Sequence, residues 1–114
     1  IAPRDVLRTF CHVADLANGV LTWELSEAWS VRVGAEAVLQ AVEEQRLGLS
    51  LPETAKLTPY SRTELAARQL VFMDDWVRPL YKVAAILFPG AKSRLPQIEL
   101  NREECKRLIT SATI

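Results

Sequence analysis

The stretch Ser61–Phe88, SRTELAARQLVFMDDWVRPLYKVAAILF, decides the fold class of this 114-residue chain. Ser61 followed three residues later by Glu64 is a capping box, in which each residue satisfies a backbone N–H left free at a helix start. Beyond it, Leu65, Phe72, Trp76, Leu80, Val83 and Leu87 recur at helical spacing, so one long helix to Phe88 is expected. Pro79 lies inside it and predicts a kink, because proline has no N–H and crowds the preceding turn. Phe88-Pro89-Gly90 ends the helix.

Working outward, the same period holds on both sides. From Arg4 to Leu16, Val6, Leu7, Phe10, Val13 and Ala14 make one apolar stripe, and Asn18-Gly19 stops it. Thr22 can cap a second helix running to about Leu47, with Leu25, Trp29, Val33, Ala37 and Ala41 on one side and Gly48 closing it. Residues 49–60, LSLPETAKLTPY, carry two prolines and no clean period, and read as a loop. A short connector to Pro96 leads to a last helix from about Asn101 to Ile109. No stretch alternates with period two for long enough to suggest a sheet. The expectation is an all-α multi-helix bundle of about four helices, two of them long.

Composition fits a globular chain with a core: 49% of residues are apolar, 25% are charged, and the formal net charge is zero. That balance makes nucleic acid and anionic membranes poor partners. The longest apolar run, Val83 to Phe88, is too short to span a bilayer. Cys11 and Cys105 are far apart and form no metal-type pair, so two free thiols in a reducing, cytoplasmic setting are expected. The chain begins at Ile1 and enters a helical pattern almost at once, which reads as a segment of something longer.

Three polar positions stand out in this pattern. Asp15 ends an apolar face, Asn18 lies about one turn on, and Gln69 lies between Leu65 and Phe72. A buried polar group left unpaired costs roughly 1–3 kcal/mol. From the residues alone the favoured reading is Asp15 as a solvated helix end, His12 as a satisfied, partly buried histidine and Gln69 as a surface side chain. One histidine and one aspartate do not make a complete zinc site.

Four quoted elements add a second line. CHVADLAN (Cys11–Asn18) resembles the H-x-A-D-[LI]-x-N element of the class I cyclic nucleotide phosphodiesterases. TWELSEAWSVRV (Thr22–Val33) resembles the segment that follows it there. RQLVFMDDWVRPLY (Arg68–Tyr81) resembles the family's S-Q-x-x-F-I-D…PL segment, and LNREEC (Leu100–Cys105) its terminal N-R-E helix. All four occur in family order and cover nearly the whole chain.

The resemblance implies that residues 1–114 are the C-terminal segment of one helical catalytic domain whose upstream metal-binding part lies elsewhere. The complete domain would hydrolyse a 3′,5′-cyclic nucleotide (cAMP, cGMP or both) to the 5′-monophosphate, with two divalent ions, zinc and magnesium or manganese. Asp15 matches the aspartate that ligates the tightly held metal, whereas His12 matches a histidine outside the ligand set. Gln69 matches the purine-reading glutamine and Phe72 the aromatic that clamps the base. Asn18 matches a polar residue near the base, and Trp29 and Val33 match apolar pocket residues. Gln69 and Phe72, three apart, share a helix face, and Trp29 and Val33, four apart, share another. An adenine amino group donating to the Asn18 oxygen would favour cAMP.

The family's H-N-x-x-H and H-D elements, which supply the general acid and further ligands, are absent, since this sequence has one histidine. No catalytic residue is therefore assigned within the segment, which alone should be inactive. Its expected partners are the cyclic nucleotide, the remainder of the domain and, through uncovered apolar surface, further copies of itself. Departures from the family pattern are Arg68, where a small polar residue is common, Ser26, where a larger side chain is often found, and the 48–61 loop. The competing reading is a non-enzymatic helical interaction module, with the Trp and Phe stripes as core or partner groove.

Overall fold

Pro3 opens the first helix, where its missing N–H costs nothing and its fixed φ suits a first turn. This α1 runs Pro3–Asp15 in the computed structural model, which describes residues 2–112. A 3₁₀ turn, Ala17–Val20, leads to α2, Trp23–Arg46. Gly48 follows at φ +74, a conformation that suits glycine and closes the helix. After the loop come α3, Arg62–Phe72, α4, Arg78–Leu87, and α5, Leu95–Ser111. The fold is all-α.

The capping box is formed: Ser61 Oγ accepts from the Glu64 N–H at 3.1 Å, and Glu64 Oε1 accepts from the Ser61 N–H at 2.9 Å. Lys56 Nζ also donates to both Glu64 oxygens, which ties the preceding loop to the start of α3. Thr22 stands at the N-cap of α2, but its side chain makes no capping bond.

The expected helix from Ser61 to Phe88 is interrupted upstream of Pro79. Residues Met73–Val77 form a π turn, with the Arg78 N–H bonded to Met73 O. Proline at 79 removes one donor and crowds the turn before it, and the chain accommodates this by widening that turn. Arg102 of α5 braces it by donating to Asp74, and also reaches Glu99 at 2.8 Å.

The last helix starts at Leu95, six residues earlier than its periodicity suggests. Pro96 sits in its first turn, where proline is a start signal and not part of a connector.

The core lies between α3, α4 and α5 and is built from Ala66, Met73, Val77, Tyr81, Ile98, Cys105 and Leu108, with Val20 of the 3₁₀ turn. Tyr81 Oη donates to Val13 O at 3.0 Å and fastens α1 to α4. The faces differ from the expected stripes. On α3 and α4 the inward line is Ala66, Gln69, Met73, Val77, Tyr81 and Ala84, while Trp76 and Val83 are exposed. On α2 the buried residues are Ser26, Gly34 and Ala41, and Leu25 and Trp29 are exposed. Alpha1 has no buried residue, and its Leu7 and Phe10 lie open. The helices form a slab of 45 × 39 × 20 Å, thin enough for much apolar surface to remain uncovered. Among the described residues no helix is long and apolar enough to cross a membrane.

Candidate functional site

Asn101 is fully buried and holds the 3₁₀ turn in place. Its Nδ2 donates to Gly19 O at 3.0 Å and Leu21 O at 2.8 Å, and its Oδ1 accepts from Gln97 Nε2 at 3.0 Å. The turn fixed in this way carries Asn18 toward α3.

There Gln69 is buried, and its Nε2 donates to Asn18 Oδ1 at 3.3 Å and to Ser26 Oγ at 3.1 Å. The 3₁₀ turn and α2 thus converge on one amide more than 40 residues further along the chain. A primary amide has two N–H donors and one carbonyl acceptor. Both donors are used here, so the polar atom left for a ligand is Gln69 Oε1.

Beside this amide is a cavity of about 120 Å³, lined by Asn18, Ser30, Val33, Gly34, Leu65, Arg68, Gln69 and Phe72. Four of the five expected base-site residues therefore share one cavity. Trp29 is not among its lining residues; it is half-exposed, with the Arg32 guanidinium 5.2 Å from its ring centre. The Asn18 oxygen, expected to face an adenine amino group, is engaged by Gln69.

Asp15 is the exposed last residue of α1. It shares a shallow open surface with Arg4, Arg8, Cys11 and His12. Among the described residues no three His, Cys, Asp or Glu side chains come together to hold a metal ion. A single carboxylate suits a hard divalent ion as one oxygen donor but does not make a site.

Sequence reasoning passed over Gly34, placed Leu65 only in the apolar stripe and marked Ser26 only as a departure from the family pattern. Ser26, Ser30 and Gly34 recur every four residues along α2, and that line of small side chains is the signal that α3 approaches closely there. An added Cβ on Gly34 would lie 2.5 Å from Leu65 Cδ2. Of the cysteines, Cys11 is exposed and Cys105 buried, and burial raises the Cys105 thiol to about 11, which makes it inert as a nucleophile at neutral pH.

The sequence matches the 3′,5′-cyclic nucleotide phosphodiesterase profile over residues 2–98. The chain belongs to that family. Among its relatives, a probable 3′,5′-cyclic-AMP phosphodiesterase, pde-4 of Caenorhabditis elegans, is 34% identical over 100 residues, covering 87% of this chain and 14% of the relative. The 3′,5′-cyclic-AMP phosphodiesterases 4C of Mus musculus and Rattus norvegicus are each 32% identical over 101 residues, again covering 87% of this chain, and 14% and 18% of theirs. The chain thus spans less than a fifth of the length of these phosphodiesterases. No solved structure matches it.

Proposed function

We propose that this chain forms the base-binding side of a 3′,5′-cyclic nucleotide phosphodiesterase catalytic domain and that the nucleotide is cAMP. The observation that carries the reading is the Gln69 amide, whose two N–H donors are taken by Asn18 and Ser26. The remaining acceptor, Oε1, suits the 6-amino group of adenine, a donor; the corresponding atom of guanine is an acceptor. Phe72, three residues on, stacks on the ring, and Val33 of α2 packs on its other side. Apolar walls from Val33, Leu65 and Phe72 with a few polar groups converging between them are what a small flat ligand needs. Relatives named as cAMP phosphodiesterases support the same choice.

Asp15 contributes one oxygen ligand to a centre of two divalent ions, zinc and magnesium or manganese, whose other ligands lie outside this chain. Bound there, such ions would polarise the phosphate. The hydrolytic step therefore belongs to the complete domain, and the segment alone turns nothing over.

The test is steady-state kinetics on the complete protein with cAMP and cGMP. Gln69→Ala should raise the KM for cAMP about tenfold with a smaller change in kcat, because the contact is to the base and not to the reacting phosphate. Phe72→Ala should act in the same direction through lost stacking. An unchanged KM in both variants would place the base elsewhere.

A further inference from the structure

Leu65 lines two cavities at once. One is the cavity beside Gln69; the other, about 340 Å³, lies between α2 and the end of the 49–60 loop and is walled by Val31, Gly34, Val38, Pro59, Tyr60 and Leu65. Gly34 and Leu65 are the two residues common to both. Gly34 has no side chain, and Leu65 fills the space that one would occupy, since a Cβ on Gly34 would meet Leu65 Cδ2 at 2.5 Å. The partition between a small cavity with a polar end and a larger apolar one is thus a single leucine side chain seated over a glycine.

We infer that Leu65 sets the size limit of the base cavity, and that the compartment behind it accepts an apolar substituent on the base once Leu65 is shortened. The inference rests on the base being read by Gln69. Leu65 and Gln69 are four apart on α3, so they lie one turn from each other on the same face. The larger compartment adjoins the base cavity only at Gly34 and Leu65, so a group carried on the adenine nitrogen that Gln69 reads would reach it past Leu65. The compartment it would enter is apolar and holds no charged side chain in its wall, so the substituent it fits is a hydrocarbon such as a benzyl ring. In the native chain Leu65 blocks that path, and adenine with an unsubstituted amino group is what the cavity takes.

The test uses the complete protein and an N6-benzyl analogue of cAMP as a competitive inhibitor of cAMP turnover. The quantity read is the inhibition constant of the analogue divided by the KM for cAMP, in the wild type and in Leu65→Ala. Shortening the wall should lower this ratio by about tenfold or more, the scale on which a few methylenes change discrimination in an apolar pocket. Leu65→Val, which removes one methylene, should lower it by a smaller factor and carries the test if the alanine variant does not fold. A ratio equal to wild type in folded Leu65→Val, or in Leu65→Ala where it folds, overturns the inference. Failure of the underlying base assignment is read separately, since it leaves the KM for cAMP unchanged in Gln69→Ala.

Discussion

The Gln69 amide nitrogen lies 3.1 Å from the hydroxyl oxygen of Ser26, which has no exposed surface. Gln69 is on α3 and Ser26 on α2, so the bond joins the helices and takes up one N–H of the amide, although a serine hydroxyl, which can also donate, does not by itself fix which end of the amide faces outward. A glutamine side chain is otherwise free to rotate by half a turn and exchange donor for acceptor. Its second partner, the Asn18 oxygen at 3.3 Å, only accepts, so it is this contact that favours the nitrogen facing inward.

Ser26→Ala should therefore loosen base discrimination. It leaves one buried N–H without its partner, a loss of about 1–3 kcal/mol, and lets the amide turn to recover it. In the complete protein we expect the ratio of kcat/KM for cAMP to that for cGMP to fall by about fivefold or more, a shift that conversion at 1.4 kcal/mol per decade places within that range. A merely structural role would lower both substrates together and leave the ratio where it was.

Asn101 makes a prediction about stability. Its amide nitrogen satisfies two backbone carbonyls, Gly19 O and Leu21 O, in a place with no exposed surface. Asn101→Ala leaves both unsatisfied and should cost about 2–4 kcal/mol in denaturant unfolding. Asn101→Asp keeps the shape but has no donor when ionised, and places a carboxylate against two carbonyl oxygens. It should be no more stable than the alanine variant. An aspartate variant of near wild-type stability would show that the amide donors do not hold the turn.

Much of this architecture was legible because helix ends are written locally. Ser61 and Glu64 specify a start that needs no tertiary information, and Gly48 a stop. Burial was less legible, because α2 and the Ser61–Phe88 run carry apolar residues on more than one side. Periodicity chose Leu25, Trp29 and Val33 on α2, but close approach to α3 goes through Ser26 and Gly34, where small side chains let the helices near each other. The Ser61–Phe88 stripe shifted for a related reason: Met73, Val77 and Tyr81 continue one line through a widened turn whose position the sequence signals only through Pro79. Asn18, Val33, Gln69 and Phe72 were named from the sequence and do share a cavity. Ser26 stood out only as a departure from the family pattern, and nothing in the local sequence says that its hydroxyl meets an amide 43 residues away.

The tether of the 49–60 loop should respond to acid. Lys56 and the Ser61 N–H hold the exposed Glu64 carboxyl at about 2, below its ordinary 4.5. A carboxylate whose folded value is depressed adds stability that is fully present above its unfolded value and is lost as pH falls through the folded one. The window is therefore from about 4.5 down to about 2. Melting temperatures of the wild type and Glu64→Gln, followed across that range, should differ most at its upper end and converge at its lower end. A difference that stays constant from pH 5 to about 2 would show that the Lys56–Glu64 pair does not contribute through its charge.

Asp15 separates folding from function. It is exposed at the end of α1, and no cluster of ligating side chains surrounds it among the described residues. Replacing it should leave packing intact, so Asp15→Ala in the complete protein should keep its helical circular dichroism and change unfolding free energy by no more than about 0.5 kcal/mol, as for an ordinary surface position. If its carboxylate is a ligand, the same variant should lose bound metal, counted by elemental analysis after dialysis, and nearly all turnover. Asp15→Asn should fare little better, because a neutral amide oxygen is a weaker donor to a hard divalent ion than a carboxylate. Metal content and activity near wild type in Asp15→Ala would remove Asp15 from the centre. Loss of both together with loss of helical signal would instead show that the residue acts on the fold.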